Sequence, residues 1–252
     1  MRYLVHSGYT TLHADEFAAF IEGKTALPQK SVLITFDDGY LDNYVYAFPV
    51  LERLSLHVVI FAVTGWVGEG PTRPHAGMGK SETLPECLDQ RASEKAITEG
   101  CADAFVLRWS EIKAMEASGV AEIHSHTHGH TRWRRQYPET RVRVARLEED
   151  LAQSRAVLRE HLGRDSSHLC WPFGYYETRF VEAAGEAGFS VLYSMHRGVC
   201  TPRTKPACVP RIEIKDVDVP SFARQLWIYS RSWINPVIRV RDKYFYRHLF
   251  RG

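Results

Sequence analysis

The sequence lacks the cysteine patterns of a disulfide framework or of a thiolate zinc site. It has 5 cysteines among 252 residues, an odd number, and no Cys-x-x-Cys pair. This predicts reduced thiols, as in a cytosolic protein. We also find no signal peptide and no apolar run near the roughly 20 residues that a membrane span needs. We therefore expect a cytoplasmic protein that is at most peripheral at the inner membrane.

The sequence also has little net charge. Its 32 Lys and Arg residues against 30 Asp and Glu residues give a formal charge of +2, which points to no particular partner for the whole molecule. Positive charge is concentrated at residues 231–252, where six Arg or Lys residues alternate with aromatic residues. A solvated tail and peripheral membrane contact both fit this composition, and no nucleic-acid recognition motif accompanies it. We divide the chain into a domain at 1–220 and a basic aromatic tail at 221–252.

Predicted strands alternate with predicted helices along the domain. The alternation favours an α/β fold with a parallel sheet, either barrel-like or doubly wound. Residues at about 66–108 are rich in Gly, Pro and charge, and we interpret them as a long insertion of the kind that covers functional sites. The strands are expected at 31–36, 58–63, 120–123, 167–171, 189–194 and 207–214, and the main helices at 41–54, 109–119, 139–162 and 178–188.

Two acidic residues stand where the first buried strand ends. The stretch VLITFDDGY runs from Val32 to Tyr40 and brings Asp37 and Asp38 together. Adjacent carboxylates repel each other, and each is unfavourable to remove from water. We therefore expect positive charge beside them.

Histidines follow another predicted strand, in AEIHSHTHGH at 121–130. His126 and His130 are four residues apart, a spacing at which one helical turn would place both imidazoles on one face. Two imidazoles and a carboxylate are an ordinary ligand set for a divalent metal. Either motif alone is common without a function, but both lie at strand ends, where α/β folds build their sites.

These motifs resemble those of a known enzyme family. TFDDG at 35–39, HTHGH at 126–130 and WPFGYY at 171–176 are similar, in order and spacing, to three motifs of the polysaccharide deacetylase family, the NodB-homology domain. VPRIEI at 209–214 resembles a strand of the subgroup that acts on poly-N-acetylglucosamine-type polymers and surface-glycan sugars. The resemblance spans about residues 8–215. It implies a distorted (β/α) barrel and a metal-dependent hydrolase, and it leaves open a barrel without its first strand.

The resemblance also implies roles for individual residues. Asp38, His126 and His130 would bind a divalent metal, with Zn²⁺ expected and Co²⁺, Ni²⁺ or Mn²⁺ as alternatives. Asp37 would be the general base, and the backbone N–H of Phe173 would help to stabilise the oxyanion.

Two positions depart from the family pattern. Cys170 stands where the third motif has an arginine that orients the base. We hypothesise that Arg211 supplies the missing guanidinium from a neighbouring strand, with an ordinary edge-strand arginine as the alternative. The family's late catalytic histidine has no clear counterpart, and His196 is the nearest candidate for the general acid.

We therefore expect a metal-dependent N-deacetylase. Its substrate would be an N-acetylated amino sugar in a surface polysaccharide or a lipid-linked glycan precursor. Two alternatives stay open. One is another C–N amide hydrolase on the same scaffold, such as a sugar deformylase, and the other is an inactive metal-bearing carbohydrate-binding module.

Overall fold

The computed structural model describes residues 1–79, 83–231 and 233, and a parallel β-sheet forms its centre. Within these residues, six strands pair in chain order and the sheet curls into a half-barrel. A short parallel pair of strands precedes it. The predicted α/β barrel is confirmed. The strands are β1 (Thr10–Thr11), β2 (Ser31–Val32), β3 (Thr35–Phe36), β4 (Val58–Ala62), β5 (Ala121–Ser125), β6 (His168–Cys170), β7 (Val191–Arg197) and β8 (Val209–Arg211).

Helices connect the strands and pack against the sheet. The longest one precedes β6 and has 23 residues. The helices of the described residues are α1 (Arg2–His6), α2 (Ala14–Ile21), α3 (Phe48–Arg53), α4 (Gln90–Thr98), α5 (Ala102–Phe105), α6 (Trp109–Ala117), α7 (Trp133–Gln136), α8 (Thr140–Leu162), α9 (Thr178–Glu186) and α10 (Val219–Tyr229).

The apolar strand β4 shows why the sheet is buried on both faces. Val59 and Phe61 pack with residues of α2, β6, β7 and β8 inside the half-barrel. Val58 and Ile60 belong instead to a cluster with residues of α3, α6 and α8 on the outside. A strand covered on both faces needs apolar side chains at every position, which is the pattern VVIFA.

Several predicted elements are confirmed and others differ in detail. Helix α8 begins and ends within one residue of its predicted bounds, and Gly163 terminates it with a left-handed φ of 68°. The predicted strand 31–36 is two short strands, β2 and β3. The predicted helix 41–54 begins with a π-helical turn at Asn43–Ala47. The helix predicted at 109–119 is α6, with Arg108 as its N-cap residue.

The beginning of the chain contains a helix and a short strand. Helix α1 precedes β1, and β1 pairs with β2 instead of joining the six-stranded sheet. Helix α2 then crosses to the barrel, where Phe17 and Ile21 pack into the interior cluster.

The predicted insertion is more regular than its composition suggested. It contains α4 and α5, and Arg73 anchors it to α6. The Arg73 guanidinium donates to both carboxylate oxygens of Glu111, at 2.7 Å each, and to the backbone oxygens of Asp103 and Val106. Glu111 is fully buried. The segment is therefore fixed to the domain by a buried ion pair with its hydrogen bonds satisfied.

The carboxyl-terminal tail lies mostly outside the described residues. Helix α10 crosses the boundary predicted at 220/221, and residues 232 and 234–252 are not described. Membrane contact through this tail therefore stays a prediction. No helix in the described part of the chain has the length and apolar character of a membrane span.

We predict that Arg73→Ala destabilises the protein by about 3–5 kcal/mol, because it leaves the Glu111 carboxylate buried without its partner. The measurement is chemical denaturation of the wild type and the variant. Arg146→Ala is the matched control, since Arg146 pairs with Glu149 on the exposed face of α8 and should change stability little. Equal midpoints for the Arg73→Ala and Arg146→Ala variants would contradict this account of the insertion.

Candidate active site

The candidate site lies at the carboxyl ends of the parallel strands. Asp37 and Asp38 follow β3, His126 follows β5, and Arg211 is the last residue of β8. Because parallel strands all end at the same edge of the sheet, residues far apart in the sequence meet there. The strands fix the positions of these residues, and the loops at this edge determine how their side chains are oriented.

Asp38 lies between two imidazoles. Its Oδ1 atom is 3.2 Å from Nε2 of His126 and 3.2 Å from Nε2 of His130. Asp38 and His126 are 7% and 2% exposed, and Oδ1 has no hydrogen-bond partner among the described residues. A buried carboxylate oxygen is therefore close to two nitrogen atoms without bonding to either.

This arrangement fits a divalent cation. Nδ1 of His126 is 2.8 Å from the carbonyl oxygen of Cys170, which can only accept, so Nδ1 carries a proton and, in the neutral ring, Nε2 keeps the lone pair that a cation would need. Ligand atoms about 2.0–2.1 Å from a tetrahedral Zn²⁺ lie roughly 3.3 Å apart, close to the 3.2 Å separations at Asp38. Burial alone would raise the pKa of Asp38, and positive charge beside the carboxylate, on protonated imidazoles or on a bound cation, holds that pKa below its usual range.

The loop that carries the histidines is not helical. Thr127 and His130 have left-handed φ angles of 66° and 48°. The Asp150 carboxylate, from α8, accepts the N–H groups of His128 at 2.8 Å and Gly129 at 2.7 Å. The prediction that one helical turn aligns His126 and His130 was therefore wrong. A tight loop held by Asp150 brings the two imidazoles together.

Asp37 forms a two-pronged ion pair with Arg211. The guanidinium Nη1 and Nη2 atoms lie 2.7 Å and 2.8 Å from Oδ1 and Oδ2 of Asp37. Arg211 also donates to the Ser194 carbonyl and to the Thr35 hydroxyl, so its fork is held on several sides. Burial alone would raise the pKa of Asp37, but the charge and hydrogen bonds of Arg211 outweigh it and lower the pKa. This carboxylate is therefore ionised and fixed in orientation.

Cys170 lies close to both Asp37 and His126. Its Sγ is 3.7 Å from Oδ2 of Asp37, and burial raises the pKa of its thiol. The position that holds an arginine in the resembling family thus offers a neutral thiol. The positive charge beside Asp37 comes from β8 instead.

Phe173 forms one wall beside the histidines. Its ring centroid is 4.5 Å from that of His130, and the Arg132 guanidinium lies 3.7 Å above the ring. Its backbone has a left-handed φ of 57°. A surface pocket adjoins this wall and is lined by Gly129, His130, Thr131, Arg132, Arg135 and Gln136.

His196 lies on β7, and its ring meets the edge of the Tyr176 ring at 5.9 Å. Its backbone N–H donates to the Ser194 hydroxyl. Asp37 pairs directly with Arg211, and Asp38 lies directly against His126 and His130. The contacts described for His196 are instead with Tyr176 and Ser194.

Sequence reasoning missed three residues that shape the site. Asp150 holds the histidine loop from a helix twenty residues further on, and nothing in its local sequence indicates this contact. The Trp66 ring lies edge-on to His130 at 4.8 Å. The Tyr40 hydroxyl is buried without a hydrogen-bond partner among the described residues, and burial together with the charge of Asp38 raises its pKa. Its place directly after the Asp-Asp-Gly turn was the available signal.

The half-barrel and the order of these motifs define a class of carbohydrate-modifying enzymes. The chain belongs to the polysaccharide deacetylase family, whose family model matches residues 24–192.

Individual relatives agree with this assignment. The chain is similar to the poly-beta-1,6-N-acetyl-D-glucosamine N-deacetylase of Staphylococcus aureus strain MRSA252, with 22% identity over 199 residues, or 78% of this chain and 59% of the relative. It is also similar to the solved structure of IcaB from Ammonifex degensii, with 26% identity, a TM-score of 0.67, and coverage of 88% of this chain and 84% of that one. The Streptococcus pyogenes deacetylase PplD, solved with acetate, shares the fold at 18% identity, with a TM-score of 0.66 and coverage of 89% and 82%. The chain spans about three fifths of the length of the curated relatives it matches.

We predict that Asp38→Asn and His130→Gln each remove one Zn²⁺ equivalent from the metal that the wild type binds, because each takes away a ligand of the buried triad. The measurement is Zn²⁺ titration against a chromogenic chelator, with thermal unfolding to verify the fold. Asp42→Asn is the matched control, since Asp42 is an exposed carboxylate close by in the sequence. Unchanged Zn²⁺ stoichiometry and affinity in both variants would show that these residues hold no metal.

Proposed function

We propose that the chain is a metal-dependent N-deacetylase that removes acetyl groups from an N-acetylated amino sugar. The observation that carries the proposal is the pairing of two differently solvated acids. Asp38 lies against His126 and His130, and its neighbour Asp37 is held by Arg211. One acid is thereby suited to bind a cation and the other to move a proton.

The donor set supports a divalent metal, with Zn²⁺ as the first choice and Co²⁺, Ni²⁺ or Mn²⁺ as alternatives. Asp38, His126 and His130 would hold it. When bound, such a cation makes water a better nucleophile near neutral pH and polarises the amide carbonyl. The hydrogen bond from Nδ1 of His126 to the Cys170 carbonyl orients the ring with Nε2 toward Oδ1 of Asp38, the two atoms that would hold the cation.

The proposed work of Asp37 is to accept a proton from the attacking water. Arg211 occupies both carboxylate oxygens, which keeps the group ionised and fixes its plane. Arg211 is thus a positioning residue. The backbone N–H of Phe173, beside His130, is proposed to donate a hydrogen bond to the oxygen that gains negative charge.

The leaving amine needs a proton before the C–N bond breaks. His196 is our proposed donor. Asp37 is the competing one, because it holds a proton after the first step. The rate of the His196→Gln variant separates the two: a loss near that of Asp37→Asn favours His196, and an unchanged rate assigns both proton transfers to Asp37.

The proposed substrate is a polymer or lipid-linked precursor that carries N-acetylated amino sugars. The printed activity of the Staphylococcus aureus relative, a poly-beta-1,6-N-acetyl-D-glucosamine N-deacetylase, supports this choice. The pocket beside His130 and the exposed Phe173 ring offer a surface on which a sugar next to the reacting one could lie.

We expect the Zn²⁺-loaded protein to release acetate from β-1,6-linked N-acetylglucosamine oligomers, and Asp37→Asn to lower the rate by about 10²–10⁴-fold because the general base is lost. Acetate is measured by a coupled assay, with chitooligosaccharides and a formamido sugar as further substrates. Asp42→Asn serves again as the control and should keep the wild-type rate.

Other outcomes of this assay would replace the proposal. Formate release from the formamido sugar without acetate release would identify a deformylase. Glycan binding without release of either acid, by protein verified to hold metal, would identify a carbohydrate-binding module.

We expect Arg211→Lys to lower kcat by about 10–100-fold while KM changes little, because lysine keeps the charge but not the two-pronged geometry. Steady-state kinetics and thermal unfolding are measured together, so that a stability loss is seen separately. Arg197→Lys is the control, since Arg197 forms a more exposed pair with Glu213. A full hydrolytic rate in Arg211→Ala would disprove the role of Arg211.

A further inference from the structure

A second cluster of histidines surrounds Glu122 at the opposite end of the sheet. Glu122 lies near the start of β5, His57 directly precedes β4, and His13 directly precedes α2. Glu122 and His126 are four residues apart on and just after one strand, which separates them by about 13 Å. The cluster around Glu122 is therefore distinct from the candidate active site.

Like the Asp38 triad, the group of His13, His57 and Glu122 offers two imidazoles and one carboxylate. Nε2 of His57 is 3.4 Å from Oε1 of Glu122, and Nδ1 of His13 is 3.9 Å from Oε2. The three ligand atoms lie within 4.8 Å of one another. The His57 separation is close to the roughly 3.3 Å expected between two ligands of a tetrahedral Zn²⁺.

His57 presents a nitrogen without a partner to this carboxylate. Its side chain is 8% exposed, and Nδ1 is 3.0 Å from the Gly119 carbonyl oxygen, so Nδ1 carries a proton. Nε2 has no hydrogen-bond partner among the described residues. A neutral His57 therefore points a lone pair at a carboxylate, which is unfavourable unless positive charge lies between them.

His124 repeats the pattern from the barrel interior. It is 4% exposed, its Nδ1 is 2.8 Å from the Ser166 hydroxyl, and its Nε2 also has no hydrogen-bond partner in the described part of the chain. That Nε2 lies 3.7 Å from Oε2 of Glu122. Two buried imidazole nitrogens thus converge on one carboxylate without bonding to it.

We propose that His13, His57 and Glu122 bind a divalent cation, with Zn²⁺ preferred, at the amino-terminal end of the sheet. Imidazole nitrogen and carboxylate oxygen are both good ligands for this ion. The His13 side chain is 53% exposed, so the site has an entry from solvent.

The role of this cation is structural. The Ala14 N–H, at the beginning of α2, donates to Oε1 of Glu122. Ligands from three segments therefore tie the start of α2 to the starts of β4 and β5, and α2 closes this end of the interior cluster. A cation that binds the folded chain alone stabilises it by mass action.

The competing explanation is an ion pair between Glu122 and protonated histidines. The decisive protein is the full chain with Asp38→Asn, in which the active-site triad has lost its carboxylate. After chelation and dialysis, we expect it to bind one Zn²⁺ equivalent in a calorimetric titration. We also expect its unfolding temperature to rise when Zn²⁺ is added.

Further variants in the Asp38→Asn background locate the ion. Glu122→Gln should abolish this binding, and His13→Gln should weaken it at least tenfold. His6→Gln is the matched control, an exposed histidine near the same end of the chain, and should leave the affinity unchanged. Should Glu122→Gln fail to fold, His13→Gln decides, with its unfolding temperature measured beside it, because the His13 imidazole is 53% exposed although it stacks on His57 with ring centroids 3.7 Å apart.

Two results would overturn the proposal. One is an Asp38→Asn protein that binds no Zn²⁺, and the other is a His13→Gln protein with the same affinity as the His6→Gln control. Neither result bears on acetate release by the metal-loaded wild type, so this proposal and the deacetylase proposal fail independently.

Discussion

The placing of two adjacent carboxylates at the end of a strand, Asp38 buried and Asp37 partly buried, is the constraint around which this site is organised. Neither charge is tolerable there without compensation. The chain turns through a left-handed residue at Asp38, with φ of 68°, and the two side chains receive different partners. Asp37 is matched by a guanidinium from β8, and Asp38 by two imidazoles from the loop after β5. The two adjacent acids thus lie in different chemical environments.

Much of the fold could be predicted from local patterns. The run VVIFA marks β4 because both faces of the sheet are covered, and the apolar stripe with its terminal Gly163 marks α8. The split of 31–36 into two strands and the π-helical turn before α3 were not predictable in this way. The split lies where the chain passes from the small parallel pair to the six-stranded sheet, and no periodicity in the sequence indicates that change.

The candidate site likewise contains residues that the sequence could identify and residues that it could not. Motif order identifies Asp38, His126 and His130 as neighbours, and the structure has their ligand atoms within 4.8 Å of one another. The reason given for the histidine pair was wrong, because the i, i+4 spacing is met by a loop with two left-handed residues. Asp150 and Arg211 act across large sequence separations, 22 residues from His128 and 174 residues from Asp37. Contacts of this kind depend on which elements are neighbours, so no local pattern contains them.

The parallel sheet explains why an arginine can come from a different strand without moving the site. All carboxyl ends of the strands meet at one edge, so a guanidinium needs only to reach Asp37 from any strand whose end faces it. On β6 the inward position near Asp37 holds Cys170, which is fully buried and offers no charge. On β8, Arg211 extends past the Phe61 ring, with 5.9 Å between guanidinium and ring centroid, and reaches both oxygens of Asp37. The carboxylate of Asp37 is therefore held in a fixed orientation by a guanidinium from β8, although β6 offers none.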